Sequence, residues 1–284
     1  MPDVCVVHLV RAKNGPEPFW RFLESYAQNP GGLKHDLVIA FKGRFGKAGL
    51  REYYQRLEGF PHRCWFISDF GYDIRPYFLA TEKFGQRYFC FLNSNSVLLD
   101  KDWLALMYGH CSEKGVGLVG ATGSYASWLS DFLNMHERLR SLPHYQGFSG
   151  RLKLRLKRRI YQRDYDPFPN YHLRTNAFMI SRDVARRIER GRMLTKWDAF
   201  RFESGKDGLT KQILRMNLRI QVVGKDGKAY EIEEWPRSNT FWQGDQGNLL
   251  VADKQTKRYS ESDPSLRQHL TRTAWGILAN PPLC

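Results

Sequence analysis

The sequence predicts an α/β domain in which a mostly parallel central sheet is flanked by helices. Three observations predict it. Short β-branched or aromatic runs alternate four times with segments of helical periodicity within the first 92 residues. Polar residues gather directly after those runs, at the strand ends where such sheets bind ligands. A hydrophobic content of 42% over 284 residues is enough for one well-formed core or two small ones.

Residues 5–10 (CVVHLV) read as the first strand, closing in the polar Arg11-Ala-Lys-Asn-Gly15. Within it, His8 reads as a core histidine. Residues 17–28 read as a helix, with Pro16 and Pro18 at its start and Phe19, Phe22, Leu23 and Tyr26 at helical spacing. Asn29-Pro-Gly-Gly stops it. Residues 35–41 (HDLVIAF) form the second strand, followed by Lys42-Gly and a helix over 48–57. Residues 63–68 (RCWFIS) form the third, ending at Asp69-Phe-Gly-Tyr-Asp73, with a helix over 76–84. Residues 87–92 (RYFCFL) form the fourth, running into Asn93-Ser94-Asn95.

A helix over 103–108 and a fifth strand over 116–121 (VGLVGA) lead to Thr122-Gly-Ser124. Residues 125–169 read as irregular, with one exception at 151–163. Seven of those thirteen residues are basic, and Leu152, Leu156 and Ile160 recur every fourth position as an apolar stripe on a basic helix. Further on, 176–181 is a strand, 182–191 a helix, 209–216 a helix, 219–223 a strand and 224–227 a tight turn. No internal repeat is present. The chain divides into a half over 1–127 and a half over 128–284.

Five cysteines, at 5, 64, 90, 111 and 284, form no C-x-x-C pair. They suit buried apolar positions in a reducing compartment better than a disulfide framework or a zinc site. The N-terminus shows no basic-then-apolar leader, and no run approaches eighteen apolar residues, so a soluble, cytoplasmic protein is expected. The formal net charge of +15 attracts polyanions: nucleic acid, anionic lipid or phosphorylated substrates.

The order of strand ends resembles the GT-A (Rossmann-like) glycosyltransferases, distantly the family-2 enzymes. The likeness rests mainly on residues 1 to 110. Stretches such as FLNSNS, GATGSY and RTNAFMIS also resemble bacterial proteins labelled as glycosyltransferases. In that family the fourth strand runs into an Asp-x-Asp motif that carries the sugar-nucleotide diphosphate through a divalent metal. Here Asn93-Ser94-Asn95 stands in its place, with the flanking apolar strand and the following Trp103-Leu helix start preserved. The resemblance implies transfer of a sugar from a nucleotide-diphosphate donor to a glycan or lipid-linked acceptor, as in lipopolysaccharide or capsule synthesis, with residues 1–127 holding the donor and 128–284 the acceptor and catalyst. Without a carboxylate in the motif, either Asn95 weakly ligates Mg2+ or Mn2+, or cationic side chains replace the metal. A strand-ending turn is the plain structural alternative for Asn93 and Asn95.

Transfer with inversion needs a base. Glu203, preceding the 209–216 helix after an aromatic strand-like run, stands where the family places one, and Phe200 and Phe202 would raise its pKa. Asp207 is the second choice, although it reads more as a helix-capping acid. Arg11, Lys42, Asp69 and Asp73 follow strands one to three and suit the nucleotide base and ribose, with N-capping or turn formation as the alternative for the two aspartates. In the stretch Pro169 to Phe178, Arg174 suits a phosphate, Asn176 sugar hydroxyls, and His172 a metal or the leaving group. Thr122 and Ser124 are weaker candidates for the acceptor.

The basic helix suits an anionic membrane surface, where lipid-linked acceptors reside, or packs its leucines on the body with its cations solvated. The same basic helix could equally contact nucleic acid, although that partner is not the one expected of the chain as a whole. The aromatic, Gly-rich stretch 235–248 reads as a lid or a surface turn. Two rival functions remain. One is a nucleotidyltransferase, which the single glycine of the first loop disfavours. The other is a GT-A relic that binds nucleic acid or membrane by charge.

Overall fold

A computed structural model describes residues 2–276; Cys284 lies outside the described residues. Twelve strands and twelve α-helices are present among them. The chain runs β1 (Val4–Arg11), α1 (Glu17–Gln28), β2 (His35–Lys42), α2 (Lys47–Leu57), β3 (Arg63–Ile67), α3 (Ile74–Lys83) and β4 (Tyr88–Leu92). Then come β5 (Val97–Leu98), α4 (Trp103–Cys111), β6 (Val116–Gly120), β7 (Gly123–Ser124), α5 (Trp128–Ser141), α6 (Pro143–Gln146) and α7 (Phe148–Asp164). The remainder is β8 (His172–Leu173), β9 (Ala177–Ser181), α8 (Arg182–Arg186), α9 (Lys196–Ser204), α10 (Leu209–Arg215), β10 (Arg219–Val223), β11 (Ala229–Tyr230), β12 (Val251–Ala252), α11 (Lys254–Glu261) and α12 (Pro264–Trp275).

Eight strands form one sheet in the order β11-β10-β6-β9-β4-β1-β2-β3. Six of them are parallel. β9 runs antiparallel between β4 and β6, and β11 is antiparallel to β10. The predicted mostly parallel α/β sheet is therefore present, and it draws strands from both sides of residue 128.

The two faces of β1 show how the sequence builds the core. Cys5, Val7 and Leu9 pack on one side of the sheet, and Val4, Val6 and Val10 on the other, all buried. Each fully buried valine contributes about 1.5–3 kcal/mol of transfer free energy. His8 points to the α1 side, where its ring stacks on Phe22 at 3.6 Å with no hydrogen-bond partner on either nitrogen. Burial pushes its pKa down from 6.5 to about 3. Cys5, Cys90 and Cys111 are buried and unpaired; burial raises all three thiols, those of Cys5 and Cys111 to about 12.

Three expectations need correction. Residues 125–169 are not mainly irregular: α5, α6 and α7 occupy most of them. Ser127 caps α5 by accepting from the Ser130 amide. The aromatic run before Glu203 is not strand-like but helix α9, nucleated by a capping box between Thr195 and Asp198. The stretch 235–248 is a run of bends and turns packed into the body rather than lying on its surface. Trp235 is fully buried, and the side chains of Gln243 and Gln246 are buried and bonded to the carbonyls of Trp235 and Thr256.

Candidate functional site

Three parallel strands deliver one charged cluster. Arg11 ends β1 and Lys42 ends β2, side by side in register. Asp69 and Asp73 lie in the turn between β3 and α3. Arg11 sits 3.6 Å from Asp69 and 3.3 Å from Asp73, and Lys42 Nζ is 3.4 Å from Asp69 Oδ1. Lys42 is buried, and desolvation with the neighbouring Arg11 lowers its pKa against the pull of both aspartates. Desolvation raises Asp69, but Lys42 and Arg11 outweigh it, so the carboxyl stays below its ordinary value. Desolvation prevails at Asp73, which is raised. Asp73 stands at the start of α3 without capping it by its side chain. Asp69 remains half exposed, with its carboxylate facing solvent beside Arg11 and Lys42.

The turn after β4 lies alongside. Asn14, in the loop after β1, donates to Ser94 Oγ at 2.8 Å, joining the two strand ends. Asn93 Oδ1 accepts from the Asn95 amide at 2.8 Å, so the side chain of Asn93 shapes the turn. Asn95 lines a cleft of about 1220 Å³ together with Arg21, Asp253, Lys254 and Lys257.

The antiparallel strand β9 starts where its neighbours end. For that reason the residues preceding it, not those following it, reach the carboxyl edge. The Asn93 amide donates to the Asn176 carbonyl at 2.9 Å. Asn176 Oδ1 accepts from Thr122 at 2.7 Å, while its amide nitrogen is buried without a partner. Arg174 donates to Asp253 at 2.8 Å and to Thr122 at 3.3 Å, with its guanidinium 4.1 Å from the Phe241 ring centre. His172 is buried in β8, which pairs with Ser124 of β7. Its Nδ1–H donates to the Asn170 carbonyl at 2.8 Å, and burial lowers its pKa, so the ring is neutral with Nε2 bearing the lone pair.

Glu203 reaches the same edge from the last turn of α9. Its Oε2 accepts from the Thr175 amide at 2.8 Å and from the Thr175 hydroxyl at 2.5 Å. These bonds fix the carboxylate beside Asn176. The buried phenol of Tyr77 feels Asp73, Arg11 and Glu203 together; burial first, then Asp73, raises it well above its ordinary value. Asp207, by contrast, is a surface residue paired with Arg215 at 2.8 Å.

Printed contacts aside, hydrogen bonds and ion pairs join the predicted residues in two groups: Arg11 and Lys42 with Asp69 and Asp73, and Asn93 with Asn176, beside which Thr175 holds Glu203; of them, Asn95 alone lines the 1220 Å³ cleft. Sequence reasoning missed Thr175, Arg21 and Asp253. Thr175 lay within the polar run already singled out, and Asp253-Lys-Gln-Thr256 carries a legible N-cap pattern. Arg21 gives no such signal, because it is one cation on an amphipathic helix.

No protein-family model matches the chain, and no curated protein matches it. Solved structures do. The mannosyltransferase PcManGT from Pyrobaculum calidifontis, in complex with GDP-Man and Mn2+, is 13% identical, with a TM-score of 0.46 over 84% of this chain and 61% of that one. S. aureus TarS 1–349 is 12% identical, with a TM-score of 0.34 over 41% of this chain and 34% of its own. The same protein in complex with UDP-GlcNAc is 13% identical, again with a TM-score of 0.34, over 41% and 33%. This chain spans about a third to three fifths of the lengths of these structures.

Among the described residues, no three His, Cys, Asp or Glu side chains converge on a metal position. Asn93 Oδ1 is committed to its turn, which leaves Asn95 and the Nε2 of His172 as the predicted donors, both neutral. Hard divalent cations prefer charged oxygens, so these two residues by themselves do not fit a protein-held Mg2+ or Mn2+.

Proposed function

We propose that the chain is a nucleotide-sugar-dependent glycosyltransferase of GT-A type that acts with inversion on an acceptor hydroxyl. The observation that carries this reading is Glu203, clamped through one oxygen by Thr175 at the edge that also bears the Asp69 cluster and the β4 turn. The half over 1–127 would hold the donor, with Asp69 and Asp73 accepting from the base or ribose. Arg21 and Lys254, beside Asn95, would face the diphosphate. Residues 128–284 would supply the base and the acceptor's wall, with Arg174 held in place and Asn176 offering its unpaired amide to a sugar hydroxyl.

The acceptor oxygen attacks the anomeric carbon as the bond to the diphosphate oxygen breaks. The nucleoside diphosphate leaves with the bonding electrons, and the hydroxyl proton passes to Glu203 Oε1, which Thr175 leaves free. No step passes through Mg2+ or Mn2+. A glycan or lipid-linked acceptor, as in a bacterial surface polymer, fits the cationic surface.

A thermal-unfolding panel of nucleoside diphosphates and their sugars, with and without Mn2+, tests this reading. A ligand at a hundred times its Kd adds about 2.7 kcal/mol of stability. Glu203→Gln should keep that stabilisation while losing donor turnover by about 100-fold or more, general acid–base effects being roughly 10²–10⁴-fold. If no nucleotide responds in either condition, the transferase reading fails and the charge-binding relic takes its place.

A further inference from the structure

Helix α7 carries its apolar stripe on the wrong side for a core. Successive residues turn by about 100° around a helix, so Leu154 lies roughly opposite Leu152 and Ile160 stays near Leu152's side. Leu154 is the buried one, 2% exposed. Tyr161 stacks on Phe132 of α5 at 4.7 Å, and Asp164 accepts from Trp197 of α9. These anchors turn Leu152, Leu156 and Ile160 outward, 40–49% exposed. The expectation that the leucines pack on the body is therefore overturned. Phe148, 86% exposed, continues the stripe by one turn, and Leu142 and Met135, in the neighbouring α5 and the turn into α6, are also exposed.

Exposed cations line the stripe and the rest of the solvent-facing side of the helix. Lys153, Arg155, Arg158 and Arg159 are exposed, and among the described residues none has a carboxylate within ion-pair reach. A phosphate polymer would meet the cations and leave the phenylalanine and leucines in water. An anionic bilayer meets both: the cations face lipid phosphates while the stripe enters the boundary between headgroups and acyl chains.

We propose that α7, with the turn before it, is a docking face for an anionic lipid surface. The end of α7 is tied to α9, the helix that carries Glu203, through Asp164 and Trp197. The docking itself does not depend on sugar transfer.

The test is co-sedimentation of the full chain with phosphatidylcholine vesicles, with and without phosphatidylglycerol. The expected result is binding to anionic vesicles at least tenfold tighter than to neutral ones. Phe148→Ser/Leu152→Ser/Leu156→Ser, which keeps every charge, should weaken vesicle binding more than tenfold while leaving retention on heparin unchanged. Arg155→Gln/Arg158→Gln/Arg159→Gln should weaken both, at about fivefold per charge on vesicles. All these positions are exposed, and an unchanged unfolding midpoint verifies the fold of each variant. No vesicle binding by the parent chain, or full binding by the serine variant, overturns the proposal; the former with strong heparin retention points to nucleic acid instead.

Discussion

Replacing Arg174 with methionine removes the cation that ties the start of β9 to the C-terminal helices. Its partner Asp253 is 4% exposed, and Arg174 itself 12%. Removing one member of a buried pair costs about 3–5 kcal/mol, because the other charge is left desolvated. Asp253 would keep two backbone partners, the amides of Gln255 and Thr256 at 2.8 and 3.0 Å, which places the cost near the lower end. Loss of the guanidinium from the Phe241 ring adds about 0.5–2 kcal/mol, of which the thioether recovers part. Arg174→Met should therefore lose about 3–4 kcal/mol. Asp253→Asn, which keeps the cap's shape and strands the arginine, should lose about 3 kcal/mol. In the double variant neither charge remains, so its loss should fall short of the sum by about 2–3 kcal/mol. Urea unfolding of all four proteins measures this. Losses that add to within about 0.5 kcal/mol would refute the pair as a coupled element.

Two further predictions concern the core. His8 is neutral in the fold with a pKa of about 3, against 6.5 when unfolded. Below pH 6.5 only the unfolded chain takes the proton, so stability is full above 6.5 and declines as pH falls towards 3. The slope is about 1.4 kcal/mol per pH unit, or about 2 kcal/mol between pH 6.5 and 5. His8→Leu should flatten that part of the profile, leaving the share of buried His172; an unchanged slope counts against a neutral buried His8. At Gly123, an added Cβ would lie 2.5 Å from the Trp235 ring, whose indole N–H bonds the Tyr230 carbonyl. Gly123→Ala should lose about 1–3 kcal/mol in the same unfolding assay, and a neutral result would contradict this close packing.

Local pattern was enough for the first half of the fold. The apolar, β-branched run of residues 5–10, proline and phenylalanine spacing in 17–28, and polar residues after each run are all determined within a few positions of themselves. They predicted the parallel strands and the cluster of Arg11, Lys42, Asp69 and Asp73. The leucine stripe of α7 was equally legible as a helix signal, although the surrounding stretch read as irregular.

Pairing decided the rest, and pairing joins residues far apart in the chain. Nothing within residues 176–181 says that this strand enters antiparallel between β4 and β6, yet that direction puts Asn176 and Thr175 at the edge with Asn93. The grip of Thr175 on Glu203 spans 28 positions and that of Arg174 on Asp253 spans 79. Which side of α7 meets the body was also beyond its own periodicity. An amphipathic pattern fixes the angle between its faces, but the neighbouring Phe132 and Trp197 choose which face is covered. The sequence by itself determined the parallel strand–helix units and their polar ends; the tertiary structure alone decided strand direction, the partners of Glu203 and the outward turn of the stripe, because each depends on distant groups that only folding brings into contact.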